Sequence, residues 1–251
     1  MPRLVPFKLA AACALVLISL FSLAAVASAK GPVSSLRVVG KGGKVLDEDS
    51  FGLFGEASVK TSSKATCFGP GSGGSGEKVS LKATTALGML MRAAEFTASL
   101  KPLLVSDHFD FGLALCGVGS SVASGEASWY LKINHKALSV GGDKAKVKKG
   151  DEVLWDLAPS YPYPDELVLQ APDKVQADQA FQVQVFSYDE KGKKKPASGV
   201  TVSGASGPTD QAGKATVTLS RPAQLVARHG TDIPSGREAV CVGGKCPGWG
   251  K

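Results

Sequence analysis

The sequence predicts two domains of different class: a helix-backed α+β domain followed by a small all-β sandwich. Three observations carry this expectation. The 251 residues include 30 Gly and 14 Pro but only 20% charged side chains, a balance of short strands and many turns rather than long helices. A single segment, residues 84–100, repeats its apolar residues at three and four positions, as one stripe of a helix does. Elsewhere apolar residues alternate with period two or come in short runs between turn residues, which is the strand pattern. With 43% hydrophobic residues the chain can build a core, so disorder is excluded.

Residues 1–29 precede the first of these elements. Arg3 and Lys8, an apolar stretch from Leu9 to Val26 and Ala27-Ser28-Ala29 have the order of a secretory signal peptide with a small-residue cleavage site. A retained N-terminal anchor is the alternative for a stretch of this length. The expected address is secreted or cell surface, with no membrane span once the leader is removed. Its loss takes two cations, so the formal charge of +7 becomes +7 − 2 = +5. That excess is too mild to imply a nucleic-acid partner.

The elements follow in order. Ser35–Val39 and Val59–Thr66 read as strands, separated by the turn residues Gly40–Gly43 and the acidic Asp47–Asp49. Phe68–Gly76, FGPGSGGSG, reads as a flexible loop. In the helix Leu87, Leu90, Met91, Ala94 and Ala98 form the stripe, Thr84 or Thr85 caps the start and Pro102 follows the end. Phe109, Phe111, Leu113 and Leu115 then alternate as one strand, as do Trp129, Leu131 and Ile133, and Val153, Trp155 and Leu157. Each gives one apolar face, which the helix is expected to cover. Ala158–Asp165 holds three prolines and reads as a stiff connector. Beyond it come six short strands within residues 167–242 and a Gly-rich tail, 243–251. The expected organisation is therefore a leader 1–29, a first domain 30–157, a linker 158–165, a sandwich 166–242 and the tail. Each half has its own apolar strands, so each is expected to fold by itself.

Cys13 leaves with the leader, and Cys67, Cys116, Cys241 and Cys246 remain. An even count in an exported chain favours disulfides, with three connectivities open. Pairing within each domain favours Cys67–Cys116 and Cys241–Cys246. The first closes a loop of about 50 residues, stabilising by ~4 kcal/mol in the chain-entropy picture.

Three segments carry a family resemblance: Thr85-Ala86-Leu87-Gly88-Met89-Leu90, Trp129-Tyr130-Leu131-Lys132-Ile133-Asn134 with Val140-Gly141, and Gly150-Asp151-Glu152-Val153-Leu154-Trp155. They resemble the T-A-L-x-x-L helix, W-x-Y-x-x-N-G turn and G-D-x-V-x-W strand of the transcobalamin C-terminal-like domain of unknown function, a secreted bacterial β-grasp-like module. His135 stands where Gly is usual, and Tyr130 directly follows Trp129. In the second half, Pro196–Val202 and Thr209–Val217 resemble strands of bacterial immunoglobulin-like modules. The resemblance implies a helix-backed β-grasp-like domain followed by an antiparallel immunoglobulin-like β-sandwich, and names no chemistry.

Catalytic patterns are weak. Gly71–Gly76 lacks the Lys-Ser/Thr of a phosphate-binding loop, and Ser75-Gly76-Glu77-Lys78 spells S-x-x-K without the helix that motif needs. His108, His135 and His229 are widely spaced, so neither a metal nor another cofactor is expected. The basic run Lys191–Lys195 has no aromatic interleaving and reads as a solvated turn. The expectation is a secreted, non-enzymatic binding or surface-interaction protein for an extracellular ligand, such as a glycan or cell-wall polymer. An extracellular hydrolase with a dispersed site and a corrinoid-like small-ligand carrier are the alternatives. Alternation sends Tyr130 and Lys132 away from the helix, with Asn134 and His135 at the strand end. These four form the candidate ligand face, beside a shelf of Gly112 and Ala114 should their strand adjoin.

Overall fold

The computed structural model describes residues 33–248; the expected signal peptide lies outside the described residues. Among the described residues the fold is predominantly β, with 46% strand, 8% helix, one α-helix and several small sheets. This corrects the expected helix-backed α+β class. The reason lies in the helix itself. Only α1 (Ala86–Phe96) forms from the 84–100 segment, because Thr97 adopts an extended backbone and Ala98–Leu100 tighten into a 3-10 turn. Eleven residues cannot cover a five-stranded sheet alone, so strands supply the rest of the layer.

The central sheet contains β1 (Val33–Gly40), β2 (Lys44–Gly52), β8 (Ser128–Ile133), β9 (Lys136–Ala137) and β10 (Glu152–Ala158), in the order β2-β1-β10-β8-β9. β1 and β10 run parallel and the remaining pairs are antiparallel. The acidic Asp47–Asp49 stretch is thus part of a strand rather than a separator. Register places Leu36 beside Val153, Val38 beside Trp155, and Trp155 beside Leu131. This face packs on Leu87, Leu90 and Met91 of α1, as the alternation of Trp129, Leu131 and Ile133 predicts. Thr85 caps the helix, its Oγ1 accepting from Gly88 N at 3.2 Å, which satisfies one of the free amides of the first turn.

The other covering strands are the hairpin β3 (Glu56–Lys60) and β4 (Lys78–Lys82), and the sheet β5 (Leu103–Phe109), β6 (Gly112–Val118), β7 (Ser121–Val122). Phe109–Leu115 is therefore not one strand. The chain turns at Asp110-Phe111, with Phe109 opposite Gly112. Leu115 enters the core and Leu113 packs against it, but Phe111 is left outside. β6 pairs with β5 and β7, not with the Tyr130 strand, so Gly112 and Ala114 make no shelf within that sheet.

The second unit spans β11 (Glu166–Gln170), β12 (Lys174–Val175), β13 (Ala180–Tyr188), β14 (Lys194–Pro196), β15 (Thr201–Val202), β16 (Lys214–Thr218), β17 (Ala223–Leu225), β18 (Ala227–Arg228) and β19 (Glu238–Val242). Its sheets enclose a separate core around Leu167, Val185, Val217 and Val240. They are not wholly antiparallel, since β12 and β19 run in parallel. Lys194 and Lys195 of the basic run lie in edge strand β14, with the Lys194 ammonium 3.7 Å from the centre of the Phe186 ring.

Both expected disulfides are present, Cys67–Cys116 and Cys241–Cys246. A third small core, Val39, Leu154 and Ile233 with Val45 packed against it, joins the two units. Around it Arg37 donates to Pro234 O at 2.6 Å, Arg228 to Gly43 O at 3.0 Å, and Ala137 N to Glu190 O at 2.9 Å. Arg237 Nε donates to Glu48 Oε2 at 2.9 Å.

Candidate functional site

Part of the face expected to meet a ligand, at Lys132 and His135, lies against the second unit. Two rows cross it, Arg37-Leu154-Lys132 and Val39-Asp156-Tyr130. Lys132 is 1% exposed; its Nζ lies 3.4 Å from Tyr188 O and 3.9 Å from Glu166 Oε2. The Tyr130 ring stacks on Tyr163 of the connector at 3.4 Å. Asn134 is spent on the local turn: its Nδ2 donates to Asp151 Oδ1 at 2.9 Å, and its Oδ1 accepts from Glu152 N at 2.9 Å. His135 stacks on Tyr188 at 4.0 Å, with Nδ1 3.2 Å from Glu166 Oε1 and Nε2 3.4 Å from Glu152 Oε2. Three of the four expected face residues, Lys132, Asn134 and His135, thus meet groups of the same chain. A sheet surface carrying Arg37, Lys132 and Asp156 finds complementary groups in Glu166 and the Tyr188 carbonyl of the same chain.

Burial governs the titration of this seam. Asp156 is pushed up to about 7 by burial and by Glu166, against the pull of Lys132 and Arg37. Burial also works to raise Glu166, but His135, Arg37 and Lys132 around it prevail and hold it below the usual carboxylate range. Burial lowers Lys132 despite Glu166, Asp165 and Asp156 nearby. Glu166 pairs directly with Arg37, and charges so enclosed need such partners.

Beside the seam lies a cleft of about 1280 Å³ lined by Arg37, Asp47, His135, Glu152, Arg237 and Glu238, among others. Most of its charged groups are committed to one another, through Arg37–Glu166, Arg237–Glu48 and His135 between its two glutamates. Asp47 is not among them: its buried Oδ2 has no hydrogen-bond partner, which is also true of His135 Nδ1 and Glu166 Oε2, and burial with Asp49 raises the Asp47 carboxyl to about 6.

A second cleft, of about 150 Å³, opens elsewhere on the first unit, between the loop at Cys67-Phe68, strand β6 and strand β8. Phe68, Phe111, Trp129, Tyr130 and Val140 line it. Phe68 is 60% exposed and Phe111 55%, an unusual position for large apolar rings grouped together. Phe68 meets Phe109 edge-on at 5.0 Å, and Phe109 stacks on Phe111 at 4.8 Å. On the other side Tyr130 leads to Tyr163 and on to Tyr161, 5.4 Å further. Burial and Glu190 raise the Tyr130 phenol to about 12, so its hydroxyl keeps its proton.

The loop holding Phe68 is anchored despite its glycines. The Cys67–Cys116 disulfide ties it to β6. Asp107 accepts from Ser75 N at 2.7 Å and from Ser75 Oγ at 2.6 Å, which lowers its carboxyl. Ser106 Oγ donates to Ser72 O at 2.6 Å. Ser75 of the S-x-x-K string thus fastens a loop, and Asp107 beside His108 serves it.

Two buried polar atoms in this region have no hydrogen-bond partner: Nε1 of Trp129, which lines the cleft, and Oδ1 of Asp143, which does not. The Asp143 carboxylate sits behind Gly141, which lines the cleft, and beside Gly112. A Cβ would come within 2.7 Å of it at Gly141 and 2.6 Å at Gly112, so the absence of side chains makes its room. Its other oxygen, Oδ2, is 3.2 Å from Lys144 Nζ.

Comparison with protein-family models, curated proteins and solved structures finds no match to this chain. Among the described residues no cluster of three or more His, Cys, Asp and Glu is arranged to hold a metal ion, and no helix is long and apolar enough to cross a membrane. Of the four expected face residues Tyr130 alone lines the aromatic cleft, together with Ala114 of the expected shelf. Phe68, Phe111 and Asp143 were not singled out as site residues from the sequence. A phenylalanine next to a bridged cysteine in a glycine-rich loop was the signal that could have found Phe68.

Proposed function

We propose that this is an extracytoplasmic, non-enzymatic binding protein whose first unit holds ligand in the aromatic cleft and whose second unit is a docked support. The observation that carries the reading is the exposed Phe68-Phe109-Phe111 group on a disulfide-anchored loop. Exposed apolar rings gain by burial against a partner, and a loop held in place keeps the ordering cost of that burial low. The test is sedimentation with isolated cell envelopes of the producing organism. The oxidised chain is expected to sediment and the Phe68→Ala/Phe111→Ala variant to stay in solution. Equal behaviour of the two overturns the reading.

Asp47 supports a second reading, an extracellular hydrolase using the larger cleft. A carboxyl raised to about 6 can donate a proton near neutral pH. Under that reading Asp47→Asn abolishes hydrolysis of an envelope polymer; if neither chain releases soluble product, it fails.

A further inference from the structure

Resting on the binding reading of the aromatic cleft, we infer that its ligand is a neutral sugar ring, a pyranose unit of an extracellular polysaccharide. Three features select this chemistry. The walls are flat aromatic faces, Phe68, Phe111 and Trp129, which bury the C–H face of a pyranose as they would any apolar surface. The room, about 150 Å³, suits one ring and not a helix or a strand of a protein partner.

The third feature is the polar pair. Trp129, which lines the cleft, has an unpaired donor in Nε1, and behind the Gly141 wall lies an unpaired acceptor, Asp143 Oδ1. Leaving buried polar groups unmatched is costly, so such groups mark places where something else completes them. Hydroxyl groups are donor and acceptor at once; a polyol satisfies both atoms, directly or through a bridging water. An alkyl chain satisfies neither. A quaternary ammonium ion, the other ligand that aromatic walls attract, offers nothing to the indole N–H. It also gains little from Asp143, whose charge already faces Lys144.

The indole N–H is its own reporter. In the oxidised full chain, the Trp129 Nε1–H resonance is followed by nuclear magnetic resonance during titration with cellotetraose, chitotetraose and mannotetraose, with choline chloride in a parallel arm. A saturable shift with at least one oligosaccharide is expected. Trp129→Phe, which keeps a ring but removes the donor, is expected to weaken that binding about tenfold. Asp143→Ala, read by calorimetry, is expected to do the same and covers the case in which the first variant fails to fold. The inference is overturned if none of the three sugars moves the resonance, if choline alone does, or if both folded variants bind as well as the parent. Should sugars fail while envelope sedimentation still depends on Phe68 and Phe111, the sugar inference falls and the binding reading stands. Should sedimentation be indifferent to those rings, the binding reading itself falls.

Discussion

The first unit has two surfaces whose polarity is inverted. Where the second unit docks, a charged Lys132 is 1% exposed; at the aromatic cleft, Phe68 and Phe111 are more than half exposed. Charge inside and rings outside both oppose the usual partition between protein and water. The charged inversion is met within the chain, because Glu166 and the Tyr188 carbonyl come from the other unit to Arg37 and Lys132, with His135 of the first unit beside Glu166. The aromatic inversion finds no such cover among the described residues. A surface completed by its own chain is architecture; the surface left uncovered is the one proposed to bind.

The comparison breaks most readily at Glu166. Replacing it with Ala leaves Arg37 and Lys132 enclosed without their shared carboxylate, which is expected to cost about 3–5 kcal/mol in urea unfolding of the full chain. An unchanged midpoint would mean that the seam is hydrated and contributes little. At the cleft the large effect belongs to the disulfide instead. Cys67→Ser/Cys116→Ser removes a cross-link over 49 positions and is expected to lower stability by about 2–4 kcal/mol, measured the same way.

Acidity sharpens the contrast, because Asp156 belongs to the seam alone. Its folded value of about 7 lies above the ordinary 3.8. The proton is therefore held more tightly in the folded chain, and the stabilisation it brings is complete below about pH 4 and lost as pH rises through 7. Asp156→Asn is expected to unfold like the parent near pH 3 and to be more stable than it at pH 8 by a few kcal/mol. Parallel pH curves for the two chains would remove Asp156 from the account.

The smallest effect is expected where binding is assigned. Phe68→Ala/Phe111→Ala should change unfolding stability by no more than about 1 kcal/mol, because both rings already face solvent. A loss of several kcal/mol would show that the rings are structural.

How much of this the sequence disclosed follows from the range of each signal. Alternation along Trp129–Ile133 is local, and it correctly divided Leu131 from Tyr130 and Lys132. It could not show what lies over Lys132, since Glu166 and Tyr188 come from distant strands whose placement depends on tertiary docking. Alternation also misled at Phe109–Leu115, where the same period continues through a turn at Asp110-Phe111 and conceals that two strands meet there. The helix was visible by its stripe and its Thr85 cap, yet its early end at Phe96 was not, because Ala98 continued the periodicity in a different backbone. Cysteine pairing was legible because each bridge stays within one unit.

The neighbour relation of Phe68 and Cys67 has a consequence for where the protein is competent. One wall of the cleft is fastened by a bond that forms only under oxidising conditions. A copy held in a reducing compartment keeps that wall on hydrogen bonds alone, so the cleft is finished only after the thiols are consumed. Under the proposed binding reading, oxidation is then the step that finishes the site. Trp129 emission recorded before and after reduction of the purified chain is expected to differ for this reason, and identical spectra would show that the wall stands without its bridge.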